Sequence, residues 1–239
     1  MQKIGEEIAN PFLTVLIPVY NEQKNILPTL KAISEKLTAL HTTFEIVTVD
    51  DGSGDRTVDL IQEEIKHRPS LRLIRHEKNL GPGSGIITGI REGRGKFIIF
   101  IPADLAMNLD HLERYLHAAQ EADVVIGLRS DRRDYNLFRK CVSCLNIFLI
   151  QLLFVLPYRQ FNYISMYRTE IFRRMTLFSR SVFITAEIII KAHDAGFRLT
   201  EIEVGYTPRK FGHASGASLK SILKTMRDLF YVWWRWVPN

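Results

Sequence analysis

Residues 45–57 read Glu-Ile-Val-Thr-Val-Asp-Asp-Gly-Ser-Gly-Asp-Arg-Thr, a short β-branched run that is followed at once by a polar turn. The run at residues 45–50 predicts a buried strand, and apolar residues at helical spacing predict a helix over residues 57–67. A strand that passes through a short turn into a helix is the building unit of a parallel sheet. We therefore expect an α/β fold.

The same alternation continues through the first half of the chain. Further strands are predicted at residues 14–19, 71–75, 97–101 and 124–128. Further helices are predicted at residues 24–40, 84–92 and 110–122. Strands that alternate with helices form a mostly parallel central sheet with helices on its faces, because the crossovers between them are right-handed.

Polar segments follow four of the predicted strands. They are residues 20–22, 50–53, 79–83 and 102–104. In open parallel sheets, ligands bind in the crevice beyond the carboxyl ends of the strands. The four loops are therefore expected to converge on one ligand crevice.

The second half of the chain has a different rhythm. Its predicted elements are a long apolar helix at residues 137–156, a strand at 163–167, a helix at 183–195, a strand at 199–206, a polar loop at 207–218 and a helix from 219 onwards. In the last helix, apolar residues recur at steps of three and four, and basic residues lie elsewhere on the wheel: Lys220, Lys224, Arg227 and Arg235. Such a helix packs on its own domain, docks on a membrane surface or begins a membrane-bound segment.

The composition is that of a packed globular protein. Of the 239 residues, 46% are hydrophobic and 24% are charged, which excludes a disordered, collagen-like or low-complexity chain. The net charge of +6 favours an anionic partner, such as nucleic acid, an anionic lipid headgroup or a phosphorylated ligand. No recognised nucleic-acid motif accompanies the charge, so nucleic acid is not expected as a partner.

The cysteine content and the sequence at Met1 bear on location. Two cysteines and no leader-like sequence predict the reducing cytoplasm. Cys141 and Cys144 have redox spacing but lie inside an apolar helical stretch, so we expect two buried thiols. That stretch, residues 141–156, is shorter than the about 20 residues of a spanning helix, and it is expected to touch a bilayer without crossing it.

Four motifs occur in order along the predicted strands. They read Ile-Pro-Val-Tyr-Asn-Glu at residues 17–22, Asp-Asp-Gly-Ser at 50–53, Asn-Leu-Gly at 79–81 and Ala-Asp-Leu at 103–105. Asp-Asp-Gly-Ser alone would be interpreted as a turn in which Asp55 or Thr57 caps the next helix. The ordered set, over residues 12–218, resembles the family 2 glycosyltransferases, which have the GT-A fold. Within them it is most similar to the dolichyl- or polyprenyl-phosphate glycosyltransferases.

The resemblance implies a pocket for a nucleoside-diphosphate sugar. Its expected residues are Pro18, Tyr20, Glu22, Val49, Asp51, Gly81, Asp104, Arg129 and Arg209. From the residues alone, Tyr20 could equally be packed and Pro18 could only end its strand. The implied organisation is one GT-A catalytic domain at residues 1–218, with a nucleotide-binding half at about 12–128 and an acceptor-binding half at about 129–218. The basic amphipathic helix at residues 219–239 follows it.

Asp104 matches the second acidic position of the family's Asp-x-Asp motif, whose carboxylates hold a divalent cation, Mg²⁺ or Mn²⁺, against the diphosphate. Pro102 and Ala106 replace usual ligands. Because a hard cation takes several oxygen ligands, metal use stays open, with Asp104 and His213 as the hypothesis for a reduced site. Arg209 resembles the loop arginine that covers the diphosphate, where it counters the charge of the leaving group.

A second group of residues concerns the acceptor. Arg129 resembles an arginine that contacts phosphates in polyprenyl-phosphate transferases. Arg139 and Ser143 are four residues apart, hence on one helix face, and match an arginine and a serine that hold the acceptor phosphate in those relatives. A solvated Arg139 is the alternative. Glu187 is the candidate general base if the acceptor is an alcohol, and it could equally be a structural carboxylate.

The expected function is transfer of one sugar, with inversion, from a nucleoside-diphosphate sugar to a polyprenyl phosphate. The protein would bind peripherally at the cytoplasmic face of a membrane. A phosphate acceptor is already anionic, so this reaction demands no general base. Two alternatives stay open: a transferase for a hydroxyl acceptor, and a nucleotide-sugar-binding protein with weakened catalysis.

Overall fold

The structure is a computed structural model that describes residues 2–4, 10–129, 137–205 and 219–235. The strands are β1 Gln2–Ile4, β2 Leu13–Val19, β3 Phe44–Asp50, β4 Leu71–Arg75, β5 Phe97–Phe100, β6 Val124–Arg129, β7 Ser165–Arg168 and β8 Leu199–Val204. The α-helices are α1 Ile26–Ala39, α2 Thr57–Ile65, α3 Pro82–Glu92, α4 Leu112–Ala118, α5 Leu137–Phe154, α6 Ile184–Asp194 and α7 Leu219–Arg235. Short 3-10 helices lie at Leu109–His111 and Thr169–Arg174.

The strands form one mixed sheet in the order β1-β4-β3-β2-β5-β7-β6-β8. Strands β2 to β5 pair in parallel, and β6 pairs in parallel with β8. β7 runs antiparallel between β5 and β6, and β1 runs antiparallel along β4. The predicted mostly parallel α/β sheet is therefore confirmed, and the carboxyl ends of β2 to β6 share one edge.

The predicted elements are all present, with shifted ends. The helix predicted over residues 110–122 is shorter, because a 3-10 turn precedes α4 and α4 ends at Ala118. α6 ends at Asp194, and Gly196 follows with φ of 74°, the left-handed conformation that commonly ends a helix. β1 was not predicted, since three residues are too few to show an alternating pattern. The polar loop predicted at residues 207–218 lies outside the described residues.

Two apolar layers cover the faces of the sheet. One layer joins α1, α2 and α4 to the sheet, and the other joins α3, α5, α6 and α7 to its opposite face. Successive strand residues supply opposite layers: Val15 faces the first and Leu16 the second. Both faces are thus covered, which explains why the strands read as nearly continuous apolar runs.

α5 has little cover from the rest of the domain. Of its 18 residues, only Ile150 and Phe154 are buried. Its exposed large apolar side chains are Leu137, Phe138, Leu145, Phe148 and Leu152. Among the described residues, α5 is the one helix that is long and apolar enough, by length and composition alone, to cross a membrane.

Cys141 and Cys144 lie on the uncovered part of α5. Both are free thiols and both are exposed, so the predicted burial is wrong. The physical reason is that α5 is apolar around much of its circumference. Such a pattern does not say which of its residues another element will cover.

α7 carries the predicted amphipathic pattern and lies against α5. Its buried residues are Asp228, Leu229 and Val232. Its exposed large apolar residues are Leu219, Leu223, Phe230, Tyr231, Trp233 and Trp234. One strip of α7 therefore packs on the domain, while a larger apolar surface remains uncovered within the described part of the chain.

A buried ionic network joins the amino ends of the strands. The Glu45 carboxylate in β3 accepts hydrogen bonds from the Thr14 hydroxyl at 2.7 Å and from the Arg94 N–H at 2.6 Å. Arg72 Nη1 of β4 lies 3.0 Å from the same carboxylate, and both side chains are almost fully buried. Because a buried charge is stable only when it is paired and hydrogen-bonded, these contacts depend on one another.

Glu45→Ala should lower the free energy of unfolding by about 3–5 kcal/mol, because it leaves the Arg72 guanidinium buried with its main counterion removed. Urea denaturation measures the loss. The matched control is Glu35→Ala, which removes an exposed carboxylate that lies 3.9 Å from Lys31. We expect the control to change stability by less than about 0.5 kcal/mol. Equal effects of the two substitutions would contradict the structural role given to Glu45.

Candidate active site

Three neighbouring strands end level with one another at the carboxyl edge of the sheet. Val19 of β2 pairs with Asp50 of β3, and Asp50 pairs with Arg75 of β4. The residues that come next form a row along this edge: Tyr20, Asp51 and His76. β2 has β3 on one side and β5 on the other, so the row lies at the topological switch point, where open α/β sheets bind ligands.

The loops after β2 and β3 are joined by side-chain to backbone hydrogen bonds. Ser53 Oγ accepts from the Asn21 N–H at 2.9 Å, and Asn21 Oδ1 accepts from the Gly54 N–H at 2.9 Å. Thr57 Oγ1 accepts from the Glu22 N–H at 2.8 Å. Asn21 has φ of 56°, a left-handed conformation that asparagine tolerates better than most residues. The two loops therefore form one connected wall of the crevice.

Asp55 helps to hold the same wall. Its carboxylate accepts from the Thr57 N–H at 3.0 Å and from the Gln23 N–H at 3.3 Å. Burial alone would raise the pKa of Asp55, but the hydrogen bonds from Thr57 and Gln23 outweigh it and lower the pKa. The N-cap position of α2 is Arg56, and Asp55 joins the first residue of this helix to the neighbouring loop.

The two adjacent aspartates have different partners. Asp50 is buried and accepts from the Ser53 N–H, so it fixes its own turn. Asp51 accepts from the Leu80 N–H at 2.9 Å and from the Gly81 N–H at 2.8 Å. Asp51 therefore joins the end of β3 to the loop that leads into α3.

His76 is a site residue that the sequence analysis missed. Its Nδ1 lies 2.8 Å from Asp51 Oδ1, and its Nε2 lies 2.9 Å from the Thr88 hydroxyl of α3. The ring is buried and holds the Asp51 carboxylate in place. Its sequence signal is its position: it follows β4 directly, as Asp51 follows β3.

Glycines bring α3 close to the strand ends. Gly81 has φ of 95°, which an L side chain rarely adopts. A Cβ atom on Gly85 would lie 3.5 Å from Pro18 Cβ and 4.0 Å from Val49 Cγ1, which are paired neighbours on β2 and β3. The first turn of α3 therefore packs directly behind this part of the crevice.

The residues expected to bind the nucleotide differ in exposure. Tyr20 is 49% exposed and Pro18 is half-buried, so both present surface at the strand ends. Glu22 is half-buried, and its carboxylate accepts from Asn25 Nδ2 at 2.7 Å. Val49 is fully buried, so its side chain belongs to the core beneath the crevice.

Asp104 lies in a tight turn after β5. Its Oδ1 accepts from the Ala106 N–H at 3.2 Å, and the carbonyl of Ala103 accepts from the Thr29 hydroxyl of α1 at 2.7 Å. Leu105 has φ of 49°, a strained conformation for a branched residue. The turn is thus fixed from both sides, with Asp104 at the carboxyl edge of the sheet.

The described part of this turn does not complete a cation site. Asp104 is its one carboxylate, with Pro102 and Ala106 at the flanking positions. The described residues contain no cluster of three or more His, Cys, Asp or Glu side chains. Mg²⁺ is commonly held by one or two carboxylates together with substrate phosphates and waters, so Asp104 is the described residue that would contact a cation at this edge.

The expected acceptor residues lie on the other half of the sheet. Arg129 ends β6, and its N–H donates to Gln160 Oε1 at 3.1 Å. Arg139 and Ser143 both lie on α5, which confirms that one helix carries them four residues apart. Both side chains are half-buried. Because β6 runs parallel to β5, Arg129 is at the same sheet edge as Asp104.

Glu187 is buried among hydrogen-bond donors. Its carboxylate is fully buried and accepts from the Phe178 N–H at 2.9 Å and from the Ser179 N–H at 2.8 Å. Lys191 Nζ lies 2.6 Å from the same carboxylate. These contacts are the ones expected if Glu187 is a structural carboxylate. The carboxylate has no exposed surface at which an acceptor hydroxyl could contact it.

Arg209 and His213 lie outside the described residues, but the residue before their loop is fixed. The Gly205 N–H donates to His111 Nδ1 at 2.8 Å. Burial, together with the nearby Arg114 charge, lowers the pKa of His111. The neutral ring can accept this hydrogen bond at Nδ1, whereas the protonated ring cannot.

Comparison with known proteins identifies the family of the chain. Residues 14–184 match the family described as glycosyl transferase family 2. Undecaprenyl-phosphate 4-deoxy-4-formamido-L-arabinose transferase of Edwardsiella ictaluri (strain 93-146) is 32% identical over 223 residues. The match covers 91% of this chain and 66% of that relative, so the chain spans just under two thirds of the relative's length.

Solved structures share the fold. Glucosyl-3-phosphoglycerate synthase from Mycobacterium tuberculosis, in complex with UDP, matches with a TM-score of 0.70 and 12% identity over 96% of this chain and 82% of that chain. Mannosyltransferase PcManGT from Pyrobaculum calidifontis, in complex with GDP-Man and Mn²⁺, matches with a TM-score of 0.64 and 19% identity. The match covers 87% of this chain and 60% of that chain. The expected GT-A fold is confirmed.

Stability should depend on the His111 contact as the pH falls below about 7. The folded-state pKa of His111 is below its unfolded value of 6.5, so its contribution is complete above pH 6.5 and is lost as the pH falls through the folded pKa. His111→Gln keeps an acceptor that does not titrate, so its melting temperature should fall less over this range. The exposed His117→Gln is the control, and its profile should match the unchanged chain. An unchanged profile in His111→Gln would contradict this role.

Proposed function

Because the chain belongs to glycosyl transferase family 2, we propose that it transfers a single sugar, with inversion, from a nucleoside-diphosphate sugar to a polyprenyl phosphate at a membrane surface. One observation carries the acceptor assignment. The helix that bears Arg139 and Ser143 also has a long exposed apolar surface. A lipid phosphate is the acceptor class that needs a cation and a hydroxyl for its phosphate and an apolar surface for its chain on the same helix.

The donor belongs to the crevice at the switch point. Tyr20 and Glu22 stand on one wall, and Asp51 lies between that wall and the start of α3. Carboxylate oxygens there can accept hydrogen bonds from a nucleobase or from ribose hydroxyls. Neighbours of the same fold bind UDP and GDP-Man, which supports a nucleoside-diphosphate donor without selecting its base.

The acceptor phosphate belongs near the first turns of α5. Arg139 and Ser143 supply a cation and a hydroxyl on one helix face, which suits a phosphate monoester. Arg129, at the end of β6, is the second cation proposed for this group. The relative from Edwardsiella ictaluri is named for undecaprenyl phosphate, which supports the same acceptor class here.

The membrane contact belongs to the uncovered surfaces of α5 and α7. Phe148 and Leu152 of α5 and Trp234 of α7 are exposed apolar side chains. The basic residues of α7 suit anionic headgroups, which polybasic helices bind electrostatically. We place this contact at the cytoplasmic face of a membrane, where nucleotide sugars are available.

The chemistry follows from the charges of the two substrates. A phosphate oxygen of the acceptor forms a bond to the anomeric carbon while the bond from that carbon to the donor diphosphate breaks. The nucleoside diphosphate leaves with the electron pair of the broken bond, and the anomeric centre is inverted because the phosphate oxygen attacks the face opposite the leaving group. The acceptor is already anionic, so no base is required, and positioning and charge screening are the tasks left to the protein. Arg209 is the proposed cation for the leaving diphosphate.

Thermal melting with UDP, GDP, dTDP and CDP, each with Mg²⁺, Mn²⁺ or EDTA, tests the donor site. A nucleotide at a hundredfold excess over its Kd adds about 2.7 kcal/mol to stability. In a chain of this size that raises Tm by about 5–10 °C, and we expect one nucleotide of the panel to do so. Glu22→Ala should reduce the shift, and the exposed Glu35→Ala should keep it.

Each result of the melting panel has a defined meaning. A shift that survives EDTA assigns the diphosphate charge to basic side chains, and a shift that EDTA abolishes assigns it to a cation. The absence of any shift would contradict the donor site. A shift without sugar transfer to any acceptor would instead support the binding-protein alternative.

Transfer of a labelled sugar to polyprenyl phosphate in detergent tests the acceptor. We expect an acid-labile product that partitions into organic solvent. Arg139→Ala should raise the acceptor KM by about 10- to 100-fold, because a hydrogen bond to a charged group contributes about 1.5–3 kcal/mol. The neighbouring exposed cation provides the control, Lys140→Ala, which should retain the KM within about threefold. Label found only in a water-soluble product would contradict a lipid acceptor.

A further inference from the structure

Two carboxylates hold the short segment at residues 178–181 by its backbone. Glu187 of α6 accepts from the N–H groups of residues 178 and 179. Asp228 of α7 accepts from the Arg180 N–H at 3.1 Å and from the Ser181 N–H at 3.0 Å. Four consecutive N–H groups of an irregular segment therefore have carboxylate acceptors. These N–H groups therefore have hydrogen-bond partners although the segment belongs to no helix or strand.

The same segment supports the loop at the start of α3. The Gly83 N–H donates to the Arg180 carbonyl at 3.1 Å. A Cβ atom on Gly83 would lie 2.6 Å from the Arg180 carbonyl carbon, and one on Gly81 would lie 3.1 Å from the Arg180 oxygen. The two backbones are thus in direct contact, with no room for a side chain between them.

This loop in turn supplies two of the hydrogen bonds that fix Asp51. The N–H groups of Leu80 and Gly81 both donate to the Asp51 carboxylate. A continuous series of contacts therefore leads from Asp228 on α7, through Arg180 and the α3 loop, to the donor crevice. The two end links are hydrogen bonds from backbone N–H groups to the carboxylates of Asp228 and Asp51, and the link between them is a direct contact of two backbones.

Asp228 is an unusual residue for the packed strip of an amphipathic helix. The residue is 6% exposed and lies on the same helix as the buried Leu229 and Val232. Burial alone would raise the pKa of the Asp228 carboxyl, but hydrogen bonds from Ser181, Arg227 and Arg180 outweigh it and lower the pKa. An apolar residue would dock the helix without the cost of burying a charge. What the carboxylate adds is a fixed acceptor for residues 180 and 181.

We propose that Asp228 is a positioning residue for the donor site, which it supports by holding residues 180 and 181 against the Gly81–Gly83 turn. This inference rests on the proposed function, since it concerns the same nucleotide site. It also couples the amphipathic helix α7 to the crevice. A change in how α7 docks on the domain changes the affinity for the donor nucleotide.

The test compares three variants of the full chain. Asp228→Ala removes the acceptor, whereas Asp228→Asn keeps one side-chain oxygen for the two N–H groups. Arg227→Ala removes the exposed cation that pairs with the other carboxylate oxygen at 2.9 Å and leaves the backbone contacts in place. Calorimetric titration with UDP, GDP, dTDP and CDP gives the Kd of each variant, and circular dichroism confirms that each is folded.

We expect Asp228→Ala to weaken nucleotide binding by roughly 2- to 30-fold, the range typical of substitutions that act on a site through intervening contacts. Asp228→Asn and Arg227→Ala should stay within about twofold of the unchanged chain. Hydrogen exchange gives a readout that a role confined to α7 would not move. The Leu80 and Gly81 amides should exchange faster in Asp228→Ala, while the amides of β2 and β3 should not.

The outcomes separate this inference from the proposed function. If the unchanged chain binds a nucleotide and Asp228→Ala binds it equally well, the inference is wrong and the donor site stands. Equal weakening by Asp228→Asn, or unchanged exchange at Leu80 and Gly81, would also overturn the inference. If the unchanged chain binds none of the four nucleotides, the proposed donor site fails, and the inference fails with it.

Discussion

The crevice depends on carboxylates that accept backbone N–H groups from irregular loops. A loop at the carboxyl edge of a sheet has no ladder partner, and an unpaired buried N–H group is costly. Here five acidic side chains supply acceptors, some to their own turn and some to a neighbouring loop. The pairs of acceptor and loop are Asp50 with residue 53, Asp51 with 80–81, Asp55 with 23 and 57, Glu187 with 178–179, and Asp228 with 180–181. Asp51 is central, because the loop whose N–H groups it accepts, before α3, also contacts the segment at residues 178–181.

Such loops favour a site that is formed before its ligand arrives. Ordering a flexible loop on binding costs free energy, and a preorganised loop avoids that cost. The crevice wall at residues 20–25 and 51–57 already has its hydrogen bonds in place. The surfaces of α5 and α7 contrast with it, since their apolar side chains are exposed and have few partners in the domain. The two halves of the site thus suit different substrates: a polar nucleotide in a fixed crevice, and an acceptor with a large apolar part.

The sequence was sufficient for strands β2 to β8 and for the loops that follow β2 to β5, because apolar periodicity predicts these elements, whereas the three-residue β1 was missed. The sequence did not predict which residue each polar side chain contacts. Glu187 was balanced between base and structural carboxylate, and its hydrogen bonds from residues 178 and 179 are not visible in any local sequence pattern. His76 follows a strand like Asp51, but no local pattern says that its ring meets that carboxylate. The burial expected for Cys141 and Cys144 was wrong, because the burial of a helix face depends on elements that are distant in sequence and pack against it. The roles of the nucleotide and acceptor residues stay predictions.

The position of Glu187 and the surface of α5 bear on the acceptor independently. A hydroxyl acceptor needs a base that can reach its proton, and the candidate base is instead buried and bonded to two N–H groups and Lys191. A phosphate acceptor needs no base but requires cations, and α5 carries Arg139 at its start. A polyprenyl chain also requires an apolar surface beside those cations, which α5 supplies along its length. The burial of Glu187 and the exposed apolar surface of α5 therefore favour the same reaction, because a lipid phosphate acceptor requires no general base and has an apolar chain that such a surface can contact.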